Sequence, residues 1–320
     1  TMTQQEVANT PRVPSDEDAR RIASEFLGSD AHRVRRYPTG LCHYVYEVVP
    51  SRGTPFVVRI SRKNLGGMLE SARYWSELLR PKGVPLPEIL GIDLNADLPY
   101  MILERLEGKD LGEVYASLSP LAKQRIAASV AGWQSIAATL PEAKGFGYAS
   151  SYDDPRFAPS WTAVIDAQLD RSRDWMRSGG VGHLSFVDRV QELLHKQRGY
   201  LDDVRPLPFL DDTTTKNVLV SESGAHGVVD VDEVCFGDRL YVLALTNMAL
   251  LSVQANLDYI QYWSDAWSLS PVERTMVKLY TAAHCTGFIG ELGQRFNRDS
   301  APLDMRRKSL LEGIFESLIA

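Results

Sequence analysis

Asp212, Asn217 and Asp230 are the residues whose types and spacing are best suited to act together. Four residues separate Asp212 from Asn217, and Asp230 lies thirteen beyond Asn217, all within FLDDTTTKNVLVSESGAHGVVDVDEVCFGD (Phe209 to Asp238). Short apolar runs adjoin them: LPFL (Leu207–Leu210), NVLV (Asn217–Val220) and GVVDV (Gly227–Val231). Such runs read as strands that hold polar side chains at their ends around a turn. Phosphoryl transfer needs a carboxylate that orients the acceptor hydroxyl and takes its proton. It also needs hard oxygen ligands for Mg²⁺, which bridges the nucleotide phosphates. Asp212 is the candidate base, and Asn217 and Asp230 are the candidate metal ligands. The plainer reading of Asp212 and Asn217 as turn residues stays open at this level, because Asp and Asn favour turns.

The elements that must position these residues follow from hydrophobic periodicity. Residues 1–14 are polar and Pro-bearing and are expected to be disordered. Ser15 with Asp16, Glu17 and Asp18 predicts a helix start, and Gly28 predicts its stop. YVYEVV (Tyr44–Val49) and FVVRIS (Phe56–Ser61) flank a Gly- and Pro-bearing turn and predict a hairpin. LESARYWSELL (Leu69–Leu79) has helical spacing, and ILGID (Ile89–Asp93) and YMILERL (Tyr100–Leu106) are further strand candidates. Beyond Gly108 the pattern becomes helical over Pro120–Leu140, Trp161–Met176, His183–Val204, Leu240–Gln254, Pro271–Leu292 and Pro302–Ile319. The expectation is an α+β, bilobal chain. Residues 15–107 are expected to form a small antiparallel β-rich lobe, and residues 108–320 a larger, mainly helical lobe.

Composition narrows the class of partner. The 320 residues are 44% apolar, with 35 basic and 41 acidic side chains and a net charge of −6. That balance argues against nucleic acid, which selects a strong basic excess. The most hydrophobic stretch, Leu240 to Leu251, is too short to span a bilayer, and the N-terminal residues have no apolar core of the kind a secretion signal carries. Cys42, Cys235 and Cys285 are far apart and odd in number, which fits a reducing compartment. A soluble, cytoplasmic protein is expected. The six histidines show no metal-ligand spacing, and His43 is expected on a strand surface, with a place facing a nucleotide as the alternative.

In this order the motifs resemble the aminoglycoside phosphotransferase and choline kinase family, the small-molecule branch of the protein-kinase-like fold. The family's loop H-G-D-L-x-x-x-N corresponds to Leu210-Asp211-Asp212 with Asn217. Its strand motif I-D-W-E-x-x-x-x-G-D-P corresponds to Val229-Asp230-Val231-Asp232 with Gly237-Asp238. The likeness runs from about Val34 to Leu245. It implies an ATP- and Mg²⁺-dependent kinase acting on the hydroxyl of an aminoglycoside-like, choline-like or other metabolite alcohol. It also implies that Gly40 lets backbone approach the nucleotide and that Arg59 contacts its phosphates while paired with a helix carboxylate, for which Glu70 is the best candidate. The strand and hinge at Leu103, Glu104 and Arg105 are implied to bind the adenine edge through backbone.

Three departures accompany the resemblance: Leu210 for His, Asp211 for Gly, and Val242 for the Asp of a later helix. Asp211 beside Asp212 adds negative charge that raises the pKa of either carboxyl. These changes motivate the alternative of a catalytically silent nucleotide-binding module. Asp238 reads as a helix cap rather than a catalyst.

Overall fold

The computed structural model describes residues 12–38, 43–221, 223–294 and 303–320. Gly40 and Cys42, and most of the segment expected to be disordered, lie outside the described residues. Helices are numbered α1 Asp16–Leu27, α2 Gly66–Leu79, α3 Leu111–Val114, α4 Pro120–Ala137, α5 Trp161–Gly179, α6 Leu184–Lys196, α7 Arg198–Asp202, α8 Leu240–Ser252, α9 Asp258–Ala266, α10 Pro271–Glu291 and α11 Met305–Ile319. Strands are β1 Arg33–Arg36, β2 Tyr44–Val49, β3 Phe56–Ile60, β4 Ile89–Asp93, β5 Tyr100–Glu104, β6 Lys109–Asp110, β7 Gly147–Ala149, β8 Pro208–Leu210, β9 Val218–Ser221, β10 Gly224–Val228 and β11 Val234–Phe236.

The first lobe is a five-stranded antiparallel sheet in the order β1-β2-β3-β5-β4. Strand alternation divides its side chains cleanly. Tyr44, Tyr46, Val48, Phe56, Val58, Ile60 and Ile102 are buried with Ala19, Ile22 and Ala23 of α1. α1 starts as its sequence predicts, because Ser15 and Asp18 form a reciprocal capping box, and it ends at Gly28 in the left-handed region. The opposite face carries Val45, Glu47, Val57, Arg59, Met101 and Leu103, which the strand register places side by side. α2 covers part of that face through Leu69 and Ala72 against Met101.

The second lobe packs α4 to α11 around one large apolar cluster. Two three-stranded sheets sit at its junction with the first lobe, ordered β10-β9-β6 and β7-β11-β8. Trp75 and Leu79 of α2 pack with Leu210, Val234 and Phe236, so one core joins the lobes. Trp75 Nε1 also donates to the Ala149 carbonyl at 2.8 Å. Between β5 and β6, Gly108 has a φ of +107° and a close approach to Val220 that excludes a Cβ, which would meet the Val220 carbonyl oxygen at 2.5 Å. Among the described residues no helix is long and apolar enough to cross a membrane.

The structure departs from the sequence reading at several elements. The expected helix His183–Val204 is two helices, α6 and α7, divided at Gln197. α9, β6, β7 and β11 were not anticipated, and the strand expected over Gly227–Val231 ends at Val228. It ends there because Asp230 takes a φ of +60°, outside strand geometry.

Candidate active site

Asp212 follows β8 and opens a tight turn. Its Oδ1 accepts from the Thr214 N–H at 3.0 Å, so it is also the turn former that the plainer reading allowed. Asn217, at the other end of the turn, donates from Nδ2 to the Asp212 carbonyl at 3.3 Å. Val229 donates its N–H to the Asn217 carbonyl at 2.9 Å, so the β9–β10 hairpin holds Asn217 and the start of the Asp230 segment together at its open end. The loop is pinned further where Gly112 N–H donates to the Thr215 carbonyl at 2.9 Å. Lys216 is exposed.

Arg59 extends from the middle of β3, buried at 4% exposure. Its Nη2 lies 2.7 Å from Asp232 Oδ2 and 3.4 Å from Asp230 Oδ1. This corrects the expected pairing with Glu70, which is exposed and faces Arg73 at 3.8 Å. The reason is helical geometry. Leu69, Ala72, Trp75 and Leu79 set the buried face of α2, which turns Glu70 outward and Ser71 inward. Ser71 Oγ donates to the Asp232 carbonyl.

His43 is not on the strand surface as expected. It is 5% exposed, with Nε2 3.3 Å from Asp232 Oδ2. Burial alone would raise the Asp232 pKa, but Arg59 and His43 outweigh it and hold that carboxyl below its ordinary range.

Asp211 has no such cation. Burial, then the neighbouring charges of Asp212, Asp232 and Glu233, push its carboxyl well above the ordinary range. Among the described residues its Oδ1 is buried without a hydrogen-bond partner. Asp110 is pushed up to about 6 by burial, Glu113 and Asp230. Glu233 is tied to Arg156, which also holds Asp154.

At the hinge, Glu104 N–H donates to the Glu88 carbonyl at 2.8 Å, so that donor is engaged with the β4 side. Arg105 Nε stands 2.7 Å from Glu47 Oε1, and Arg35 Nη2 is 3.1 Å from Glu47 Oε2. Leu103, Val57 and Val45 are part-exposed apolar side chains on the Arg59 face, a flat apolar roof beside a buried cation.

Leu210 takes its side chain into the apolar cluster with Trp75 and Phe236. Asp238 caps α8, its Oδ1 accepting from Leu240 N–H at 3.0 Å and its Oδ2 from the hydroxyls of Tyr200 and Tyr280 at 2.9 and 3.0 Å. His43, Ser71 and Gln134 are polar groups of this region that the motifs did not single out. Their shared signal is a polar residue inside an otherwise apolar strand or helix face.

No curated protein matches the chain significantly. Among solved structures it is similar to a thermostable mutant of aminoglycoside phosphotransferase APH(4)-Ia in ternary complex with ADP and hygromycin B. That match has a TM-score of 0.67 and 18% identity, covering 94% of this chain and 97% of that one. It is similar also to a structure assigned as a fructosamine-3-kinase from Thermobifida fusca YX-ER1, with a TM-score of 0.60 and 18% identity, covering 96% and 100% of the two chains. A GDP complex of an aminoglycoside 2'-phosphotransferase gives a TM-score of 0.67 at 16% identity, with 93% of each chain covered. At these identities the likeness establishes the fold: α+β and bilobal, with a small antiparallel lobe beside a larger helical one. The family model described as the phosphotransferase enzyme family matches residues 33–274, more than half of the chain, and the chain belongs to that family.

Proposed function

We propose that this phosphotransferase moves the γ-phosphoryl group of ATP to a hydroxyl of a small molecule, with Asp212 as the base. The observation that carries the reading is the hydrogen-bonded path from Asp212 through Asn217 to the Asp230 segment, with the buried guanidinium of Arg59 3.4 Å from Asp230. Asp212 orients the acceptor hydroxyl and takes its proton as the oxygen attacks phosphorus. Arg59 steadies the transferring phosphates from the sheet side. Leu103, Val57 and Val45 offer the adenine ring an apolar face, and backbone between Leu103 and Arg105 lies at its edge. Residues 39–42 enter this reading only through the sequence, where Gly40 lets backbone approach the phosphates. Similar structures that hold ADP with hygromycin B, AMP-PNP or GDP support a nucleotide donor.

The donor set fits Mg²⁺. Asn217 uses its Nδ2 within the loop, which leaves its amide oxygen as a hard ligand, and Asp230 is 45% exposed at its side chain. Among the described residues no three His, Cys, Asp or Glu side chains form a metal cage. Mg²⁺ is commonly held by one or two protein oxygens and by substrate phosphates. Asn217 and Asp230 would hold it, and when bound it neutralises charge on the phosphates. Alignment and charge neutralisation then account for most of the catalysis.

The acceptor is a small-molecule alcohol, an aminoglycoside-like or choline-like compound among the candidates. α5 to α7 with the C-terminal helices form its pocket, and the lobe boundary lies near Gly108. The reaction belongs in the cytoplasm, where ATP is abundant and the thiols of Cys235 and Cys285 stay free. A silent nucleotide-binding module is the second reading, favoured by Asp211 in the loop and by the engagement of Arg59 with both Asp230 and Asp232.

The test is ATP turnover against a panel of aminoglycosides, choline and other amino and sugar alcohols, with and without Mg²⁺. Asp212→Asn is expected to lower transfer by about 10²- to 10⁴-fold and leave nucleotide affinity within about twofold. Nucleotide binding without any product from the wild type supports the silent reading. Retention of Mg²⁺ dependence in Asp230→Asn would sink the metal assignment.

A further inference from the structure

Gln134 is a carboxamide in the last turn of α4 with 0% exposure, among apolar neighbours such as Val130, Ala131 and Ala137. A buried amide is costly unless its donors and acceptor are paired. All three of its contacts go to the loop that carries Asp212. Its Oε1 accepts from the Leu210 N–H at 2.9 Å. Its Nε2 donates to the Leu210 carbonyl at 3.0 Å and to Thr213 Oγ1 at 3.0 Å. The amide orientation is fixed by chemistry, since an N–H must meet oxygen and a carbonyl must meet N–H.

β8 has β11 as its neighbour on one edge and ends its sheet on the other. Gln134 therefore serves Leu210 as a single extra peptide group on that free edge. The Leu210 side chain is apolar and buried in the interlobe cluster, so it gives the loop no polar hold. Thr213 is 0% exposed as well. Asp212 is thus bracketed by two anchors, Leu210 before it and Thr213 after it, both tied to one side chain on another helix. Packing alone needs only an unbranched apolar residue at this position, and methionine has nearly the same shape.

We infer that Gln134 is a positioning residue for Asp212, setting the backbone on both sides of the base. This rests on the assignment of Asp212 as the base. The base must meet the acceptor within a few tenths of an ångström, and a shift of about 1 Å costs about 10²-fold in rate.

The test uses the full chain with ATP and Mg²⁺, with water as the phosphoryl acceptor and ADP release as the readout. Nucleotide affinity is measured in parallel with AMP-PNP by titration calorimetry. Gln134→Met is expected to lower kcat about 10- to 100-fold with AMP-PNP affinity unchanged within about twofold, while exchange of the Leu210 amide hydrogen speeds up. Thr213→Val lowers kcat by a smaller factor and Thr213→Ser restores it, and the effects of Gln134→Met and Thr213→Val are less than additive in the double variant. A folded Gln134→Met with wild-type kcat overturns the inference, and so do equal losses in kcat and AMP-PNP affinity. Should Gln134→Met fail to fold, the threonine pair decides, and equal rates for Thr213→Val and Thr213→Ser overturn it. Wild-type ADP release in Asp212→Asn defeats the base assignment itself, whereas an inactive Asp212→Asn beside a fully active Gln134→Met defeats only the positioning role. A wild type with no ADP release overturns both.

Discussion

Asp232 and Asp211 belong to one acidic cluster and meet opposite fates. Both are held away from water, and burial acts on both carboxyls in the same direction, toward the neutral form. Asp232 has the Arg59 guanidinium at 2.7 Å and His43 at 3.3 Å, and its charge is retained. Among the described residues Asp211 has three acids nearby and no paired cation, and its carboxyl is pushed toward the neutral form. Burial therefore does not decide ionisation in this cleft. The position of a single cation on β3 does. The sheet lobe supplies the positive charge and the helical lobe supplies the negative, so the electrostatic state of the site depends on how the lobes meet.

Removing that cation should make Asp232 behave like Asp211. In Arg59→Met the carboxylate stays buried without its main partner, a change that costs about 3–5 kcal/mol of stability at neutral pH. The sign with pH is definite. In the wild type the folded-state pKa of Asp232 is lowered, so its contribution is present above the ordinary carboxylate range and lost as pH falls through it. In the variant burial raises that pKa, and protonation on acidification relieves the penalty. Urea denaturation at pH 7.5 and at pH 4 should show a gap between wild type and variant that narrows sharply at the lower pH. A gap independent of pH would mean that Arg59 stabilises by packing alone.

The reverse change is smaller. Asp211→Asn removes a carboxyl whose pKa the fold raises and whose Oδ1, among the described residues, is unpaired. Asn keeps the shape and the unpaired oxygen, so the gain at pH 7.5 comes from proton linkage, about 1.4 kcal/mol for each unit by which the pKa is raised. Because the folded-state pKa of Asp211 is raised, the wild type loses stability as pH rises above the ordinary carboxylate range. The gain from Asp211→Asn should therefore vanish below about pH 4. Denaturation across pH 4 to 8 checks this, and an Asn variant less stable than wild type at pH 7.5 would contradict it.

The frame of this cluster was legible in the sequence, while its pairings were not. The apolar runs YVYEVV and FVVRI around a Gly- and Pro-bearing turn marked the hairpin of β2 and β3, and Ser15 with Gly28 marked both ends of α1. Asn217 reaches the Asp212 carbonyl, and Val229, next to Asp230, reaches the Asn217 carbonyl, because a hairpin returns the chain to its starting edge. The partner of Arg59 was missed because it depends on the rotation of α2, which sends Ser71 inward and Glu70 to solvent. Gln134 escaped because two of its partners are backbone groups 76 residues away and the third is the Thr213 hydroxyl, 79 away, and no local motif records those. α9 escaped because its start has no capping side chain.

Asp110 gives the finest test of how far the unbalanced charge extends. It precedes α3 without capping that helix, and burial, Glu113 and Asp230 push it up to about 6 from 3.8. The group is part-exposed, and solvent screens the effect to about 1 kcal/mol. A raised folded-state pKa means stability present at acid pH and lost as pH rises from about 4 to about 6. Asp110→Asn should flatten the stability profile in that window. Asp230→Asn should shift the same step to lower pH by a fraction of a unit, because burial and Glu113 remain. An unmoved step would place Asp230 outside the field of Asp110 and confine the unbalanced charge to Asp211 and its three neighbours.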